Sequence, residues 1–210
     1  MERIPVGALD LQKPLGGVSR LPGQETPTVC HALHDPAFFR FLTQIDAQLA
    51  AEARERRCPE CAGPLHVADF PRKPRGCPAS VRAEYSSRLS FTCGRCDART
   101  TPASVRFLGR RVYVAVMLML ASPPASSAAG ALAGLMAVPV LTVRRWRRWW
   151  QEDFQRTAFW QSVRERFAPP VPAEGLPQTL LARFQGPTGH ERLIRLLRFI
   201  SPLSTASMIK

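Results

Sequence analysis

Residues 58–96 read CPECAGPLHVADFPRKPRGCPASVRAEYSSRLSFTCGRC, a stretch that begins and ends with a C-x-x-C pair. Each pair can place two thiolates on one side of a tetrahedral metal ion, and four thiolates complete the closed coordination of a structural zinc site. Beside the two pairs, LHVADF at 65–70 and RLSFT at 88–92 alternate apolar and polar side chains as strands do. We therefore predict a zinc ribbon over residues 57–105 that holds one structural zinc ion through Cys58, Cys61, Cys93 and Cys96.

The other possible ligands are given no metal role. Cys77 lies in the Pro-rich loop between the pairs, and CHALH at 30–34, with Cys30, His31 and His34, lies in a Pro- and Gly-rich arm without periodicity. His66 follows the first pair and is predicted to be a strand residue. The alternative to a zinc site is that the four thiols are unligated or form a redox pair.

The composition favours a polyanionic partner. The chain of 210 residues has 29 Lys and Arg against 16 Asp and Glu, a net charge of +13, and all but three of the cations are arginines. The guanidinium group pairs bidentately with phosphate and with guanine edges, although GC-rich coding also enriches arginine without any function. The first residues lack an apolar run with a small-residue cleavage site, so we expect a cytoplasmic protein with metal-bound or free thiols.

Outward from the cysteines, the pattern predicts an α+β protein, mainly α. We expect a flexible arm at 1–34, a helix at 35–56 with Asp35 as N-cap and Pro36 as first helical residue, the zinc ribbon at 57–105, a helix-turn-helix unit at 106–168, and a linker with a last amphipathic helix at 169–210. That last helix carries an apolar stripe that we expect to pack onto its own domain: Leu193, Leu196, Leu197 and Ile200.

Residues 112–143 contain no charged side chain and raise the possibility of a membrane segment. A membrane helix needs about 20 consecutive apolar residues, whereas only ten, at 112–121, precede the break SPPASS. The second half is rich in Ala and Gly and contains a proline. We predict no membrane association, with a membrane hairpin as the alternative.

A helix-turn-helix accounts better for this run. The small side chain of Ala133 would allow two helices to cross closely, and Ala137 would lie at the turn between them. Val138 would fill the core beneath the turn, and Pro139 would begin the second helix. The pattern continues through Thr142, Val143 and Trp146.

The second helix continues into TVRRWRRWW at 142–150, with four arginines and three tryptophans. On a wheel of about 100° per residue, Val143, Trp146 and Trp150 fall on one side. The arginines at 144, 145 and 148 fall on the other. We predict that the tryptophans pack the core and that the arginines project from a recognition helix. The alternative is a basic solvated helix in a helical bundle, and the role of Trp149 stays open.

Between Arg99 and Gln151 there are eight arginines and no acidic residue. The predicted nucleic-acid contacts combine this positive unit with the basic loop of the ribbon. They are Arg144, Arg145, Arg147 and Arg148, of which Arg147 is expected to contact phosphate, then Arg110 and Arg111, and Arg72, Lys73 and Arg75.

The order of a C-x-x-C ribbon, the segment RTTPASVRFLGRRVY at 99–113 and a helix-turn-helix resembles the N-terminal DNA-binding region of bacterial insertion-sequence transposases. The resemblance covers about residues 57–155 and implies that the ribbon and the helix-turn-helix recognise element-end DNA. This chain departs from the pattern with Ala137 where the turn usually has Gly and with Pro139 where a hydroxyl N-cap is common. It also lacks a catalytic half.

A three-carboxylate nuclease core needs roughly 100–150 residues, and 60 follow Trp150. We therefore expect no enzyme activity but a zinc-stabilised protein that binds double-stranded DNA, an accessory factor or regulator of a mobile element. The alternatives are an RNA-binding or ribonucleoprotein module, and a scaffold whose last helix binds a separately encoded transposase or other protein. The DNA site, the oligomeric state, and whether the gene is functional or a truncated relic stay open.

Overall fold

The computed structural model describes residues 35–74, 76–107, 133–134 and 138–205. Within these ranges the chain is mixed α/β, with helices flanking small antiparallel sheets, which is compatible with the α+β class. The predicted arm at 1–34 and most of the uncharged run at 112–143 lie outside the described residues. Among the helices that are described, none has the length and apolar character that crossing a membrane requires.

The first helix, α1 (Pro36–Glu55), forms where the sequence predicts it. The side chain of Asp35 accepts a hydrogen bond from the backbone N–H of Ala37 at 2.9 Å, and Pro36 occupies the first helical position, where its missing N–H costs nothing. Both predictions for this N-terminus are confirmed. One side of the helix is buried: Phe38, Phe39, Leu42, Ile45, Asp46 and Ala50.

Five short strands follow. The strands β1 (Leu65–Val67), β4 (Phe91–Cys93) and β5 (Arg99–Thr100) form one antiparallel sheet in the order β1-β4-β5, and β2 (Phe70–Pro71) pairs with β3 (Ser87–Arg88). The two predicted strands, at 65–70 and 88–92, are therefore each split in two. The break lies where the Asp69 carboxylate accepts a hydrogen bond from the backbone N–H of Ser90 at 2.9 Å. Two 3₁₀ turns, Ala79–Val81 and Ala83–Tyr85, join β2 to β3.

The remaining described elements are helical. They are α2 (Val140–Arg148), a π-helical turn (Trp149–Asp153), α3 (Phe154–Arg156), α4 (Ala158–Val163), a 3₁₀ turn (Arg164–Arg166), α5 (Gln178–Leu181), α6 (Gly189–Ile200) and a last 3₁₀ turn (Ser201–Ser204). The apolar stripe of α6 is fully buried with the rest of the main hydrophobic core. The expectation that this helix packs onto its own chain is confirmed, so the stripe is not a free surface for a partner protein.

Two hydrophobic clusters share α1. Its N-terminal half, from Phe38 to Ile45, belongs to the main core together with Trp150, Phe154 and the α6 stripe. Its C-terminal half contributes Ala50 to a second, small cluster at the cysteines. Thus α1 is the element that both cores pack against.

A buried carboxylate ties α1 to the segment after β5. Asp46 is 4% exposed and accepts hydrogen bonds from the Ser104 hydroxyl at 2.6 Å, the backbone N–H of Val105 at 2.7 Å and Nε of Arg106 at 2.7 Å. The Arg106 guanidinium also donates to the backbone carbonyl of Glu84 at 2.8 Å. Because every charge here is paired and hydrogen-bonded, the ion pair can be buried.

The hydrogen-bond network around Asp46 extends to the last 3₁₀ turn, Ser201–Ser204. The backbone N–H of Ser104 donates to the Ser204 hydroxyl at 2.8 Å. The Arg88 guanidinium, 2% exposed as a residue, donates to the backbone carbonyls of Pro102, Phe107 and Ser204 at 3.1 to 3.2 Å. Burial lowers the pKa of Arg88 to about 10. The predicted domain boundary between residues 105 and 106 falls inside this network.

Replacing Asp46 with Ala should lower the free energy of unfolding by about 3–5 kcal/mol, because the Arg106 guanidinium would remain buried without its counter-charge. Urea unfolding measures the change. The matched control is Glu52→Ala on the same helix, whose ion pair with Arg56 is exposed, with side chains 59% and 73% accessible. That control should change stability by less than about 0.5 kcal/mol. Equal effects of the two variants would show that the buried pair does not hold the fold together.

Candidate metal centre and arginine-rich helix

The four predicted cysteine ligands come together. Their sulfur atoms all lie within 4.8 Å of one another, and three Sγ–Sγ separations are 3.3 Å for Cys61–Cys96, 3.5 Å for Cys61–Cys93 and 3.6 Å for Cys58–Cys96. Tetrahedral zinc with Zn–S bonds of about 2.3 Å places its sulfurs about 3.8 Å apart, whereas a disulfide bond is about 2.05 Å. The cluster therefore has the geometry of a site that could hold one metal ion.

The backbone of the first cysteine loop forms a closed turn. The backbone N–H of Ala62 donates to the carbonyl of Cys58 at 2.8 Å, and that of Cys58 donates to the carbonyl of Gly63 at 3.1 Å. Ala62 has a φ of 54°, in the left-handed region that non-glycine residues rarely adopt. The turn aims both sulfur atoms of the C-x-x-C pair to the same side.

The second cysteine loop repeats this turn. The backbone N–H of Asp97 donates to the carbonyl of Cys93 at 3.1 Å, and that of Cys93 donates to the carbonyl of Ala98 at 3.0 Å. Asp97 has a φ of 57°, matching Ala62 at the same position after the pair. Two loops of one conformation thus face each other across the sulfur cluster, and four convergent thiols are a donor set suited to a tetrahedral ion.

The sheet and α1 fix how the loops face each other. Leu65, which follows the first loop in β1, pairs in register with Cys93 at the end of β4. The small cluster of Ala50, Cys58, Leu65, Phe91 and Cys93 packs this pairing against α1. The position of the sulfur atoms is therefore set by strand register as well as by the loops.

The electrostatics of the cluster favour a bound cation. The backbone N–H of Arg95, at 3.3 Å from Sγ, and that of Cys96 lower the pKa of Cys93 to about 6. The backbone N–H of Ala98 lowers the pKa of Cys96, but the neighbouring thiols and burial outweigh it and raise that pKa to about 12. Crowded thiols resist full ionisation, and a divalent cation among them removes that cost because it binds the deprotonated sulfurs.

Two glycines make room around the cluster. A Cβ at Gly63 would lie 2.8 Å from Sγ of Cys93 and 3.0 Å from Cβ of Arg95. A Cβ at Gly94 would lie 2.6 Å from Nε2 of His66. His66 is an exposed residue of β1, as predicted.

Among the described cysteines, Cys77 lies outside the sulfur cluster. Cys77 is half-buried against the main core, and burial raises the pKa of its thiol. The CHALH segment at 30–34 lies outside the described residues.

The helix α2 divides into the two predicted faces. Val143 is completely buried and Trp146 is 6% exposed, and Trp150, in the π-helical turn that follows α2, is also completely buried. Trp149, whose role the sequence left open, is half-buried, with its ring edge-on to Trp150 at 4.9 Å between centroids. Trp146 and Trp150 therefore belong to the core, as predicted, and Trp149 packs against it.

The opposite face of α2 is cationic. Arg144 and Arg145 are exposed and form no ion pair within the described part of the chain. Arg148 is also exposed, but its Nε donates to the Glu152 carboxylate at 2.8 Å, which raises its pKa. Arg147 is half-buried at the edge of the core side.

Part of the predicted turn before α2 is described. Ala133 and Val138 are buried, and the backbone N–H of Val138 donates to the carbonyl of Ala133 at 3.1 Å. Pro139 is the N-cap of α2, so the helix begins at Val140, one position after the first helical residue that the sequence suggested. The carbonyl of Pro139 accepts a hydrogen bond from the backbone N–H of Thr142 at 2.8 Å. Ala137 and the supporting segment at 112–120 lie outside the described residues, so the helix-turn-helix stays a prediction.

The basic loop of the ribbon is described in part. Lys73 is exposed, whereas the Arg72 guanidinium lies 4.3 Å from the centroid of the half-buried Phe70 ring. Arg99, which the sequence did not single out, lies 5.1 Å from the same ring and donates to the Ala68 carbonyl at 2.8 Å. The predicted contacts Arg75, Arg110 and Arg111 lie outside the described residues.

Comparison with known proteins gives no match, either to a family model or to a curated protein or solved structure. The interpretation of the site therefore rests on its own geometry.

Replacing Gly63 with Ala should weaken metal binding by more than about tenfold, because the added Cβ would push Sγ of Cys93 and the second loop away. Titration of the reduced protein with Zn²⁺ against a competing chelator measures the affinity. Gly134→Ala is the matched control, since no atom of the described residues lies within 4 Å of its added Cβ. Unchanged affinity in the Gly63 variant would contradict the close approach of the two loops.

Proposed function

We propose that this chain is a zinc-stabilised, non-catalytic, cytoplasmic protein that binds duplex DNA through the exposed face of α2. The observation that carries the proposal is the division of this helix. Its buried face anchors it through Val143 and Trp146, and Trp150 in the π-helical turn that follows is buried as well, so its arginines are held on a rigid element on the outside. A helix of this size fits the major groove, where arginine pairs with O6 and N7 of guanine.

The distribution of buried arginines supports this assignment. Arg88 and Arg106 are buried and donate to internal carbonyl or carboxylate oxygens, so they serve the fold. Arg144 and Arg145 have no such internal role in the described part of the chain. Arginines that are exposed to solvent and do not stabilise the fold are available to bind phosphates and base edges.

Zinc is the ion that the cysteine cluster suits best. Four thiolates are soft ligands, and a closed tetrahedral set of sulfurs is the arrangement of structural zinc sites. All four ligands come from the protein, so the ion has no open position for water or substrate. Its proposed role is to hold the two cysteine loops, β1 and β4 together.

Residues 57–105, which contain the two cysteine loops and the five strands and are called the cysteine module below, would add phosphate contacts. Lys73 and Arg95 are exposed on it, and Arg72 and Arg99 flank Phe70. Such contacts would fix the orientation of the protein on DNA without reading its sequence. The resemblance to transposase DNA-binding regions leads us to propose an accessory factor or regulator of a mobile element, acting with a separately encoded transposase.

We expect the purified protein to contain one zinc ion per chain, measured by elemental analysis of protein prepared without added chelator. Cys96→Ser should lose that zinc, because three thiolates and a hydroxyl bind it far more weakly. Cys77→Ser is the control and should retain it, since that thiol lies against the main core. Metal-free wild-type protein with intact β1 and β4 would refute the zinc assignment.

The DNA-binding proposal predicts that the zinc-loaded protein prefers duplex DNA to structured RNA of equal length at matched salt. Arg144→Ala combined with Arg145→Ala should weaken DNA binding by at least about tenfold, because two positioned guanidinium contacts are lost. Fluorescence anisotropy measures both affinities.

The control for charge is Arg164→Ala combined with Arg166→Ala, which removes two exposed arginines from a 3₁₀ turn. Its affinity should change less than about threefold. A preference for RNA, or equal losses in the two double variants, would count against recognition by α2.

A further inference from the structure

An exposed leucine lies at the N-terminal end of the cationic face of α2. The side chain of Leu141 is 64% exposed, and its neighbour Val140 is 38% exposed. Single exposed apolar residues are common on protein surfaces. This one is unusual in its surroundings, because α2 also has a buried face, formed by Val143 and Trp146, on which an apolar side chain would be expected.

Helical spacing places Leu141 together with the arginines. Arg144, Arg145 and Arg148 follow it by three, four and seven residues, the separations that share one side of an α-helix. The buried residues Val143, Trp146 and Trp150 lie opposite. The outward stripe of α2 is therefore one leucine in the first turn followed by three guanidinium groups.

The chemistry of this stripe selects its partner. Three neighbouring cations are complementary to a polyanion. The exposed leucine beside them is complementary to a small apolar group on that polyanion. Duplex DNA offers both in the major groove: phosphates and guanine acceptors for arginine, and the C5-methyl group of thymine for an apolar side chain. Recognition helices contact base edges with their N-terminal residues, where Leu141 lies.

We propose that Leu141 is a specificity-determining residue that contacts the 5-methyl group of a thymine beside the base pair read by Arg144 or Arg145. The inference rests on the proposed function and adds a preference that the arginines alone do not give. Arginine selects guanine, whereas Leu141 selects thymine over cytosine through one methyl group.

The test first selects the preferred duplex from a randomised library with the full-length, zinc-loaded protein. Each thymine of the selected site is then replaced in turn by deoxyuridine, which lacks only the 5-methyl group. We expect one replacement to weaken wild-type binding by about fourfold, the equivalent of one methyl-sized apolar group. Leu141→Ala should bind the thymine and deoxyuridine duplexes equally.

The control is Val67→Ala, which shortens an equally exposed apolar residue, 65% accessible, on β1. It should keep the wild-type sensitivity to deoxyuridine. Thermal unfolding of Leu141→Ala should match that of the wild type, because the side chain packs little.

The outcomes separate the two proposals. Specific binding in which no thymine replacement matters, or in which Leu141→Ala stays sensitive, overturns the role of Leu141 and leaves DNA binding by α2 standing. A selected site without thymine has the same meaning. Failure to enrich any duplex overturns the role of Leu141 and base reading by α2, whereas the absence of duplex binding in the anisotropy measurement overturns the proposed function itself.

Discussion

The buried carboxylate of Asp46 is the constraint on which the described structure depends. It accepts hydrogen bonds from Ser104, Val105 and Arg106, and Arg106 also donates to the backbone carbonyl of Glu84 in the 3₁₀ turn at 83–85. The backbone N–H of Ser104 extends this hydrogen-bond network to the Ser204 hydroxyl in the last 3₁₀ turn. An ion pair this deeply buried is stable only with all of its partners present. One polar network therefore fixes α1 relative to the segment after β5, the 3₁₀ turn at 83–85 and the C-terminal 3₁₀ turn.

The cysteine cluster and the cationic helix are linked by α1. The C-terminal half of α1 packs against the cysteine loops, and its N-terminal half packs in the core that buries the tryptophan face of α2. A metal ion between the loops would therefore stabilise the small cluster that a few apolar residues could not hold by themselves. In the proposed function, the cysteine module and α2 act from one scaffold, the first on phosphates and the second on base edges.

The sequence was sufficient for features that depend on local pattern. The spacing of Cys58, Cys61, Cys93 and Cys96 predicted the sulfur cluster, and the helical period of α2 predicted its buried and exposed faces. The pairing of Asp46 with Arg106 could not be predicted, because 60 residues separate them and an aspartate in a helix is usually solvated. The split strands were missed for a similar reason, since the bond from Ser90 to Asp69 joins residues 21 apart.

Hydrogen exchange of the backbone amides, with zinc bound and after its removal by a chelator, tests the central claim most directly, that a metal ion holds the cysteine module. The account predicts that amides of β1 and β4 lose their protection when zinc is removed, while those of α6 in the main core keep theirs. Full protection of β1 and β4 in the metal-free protein would contradict the account.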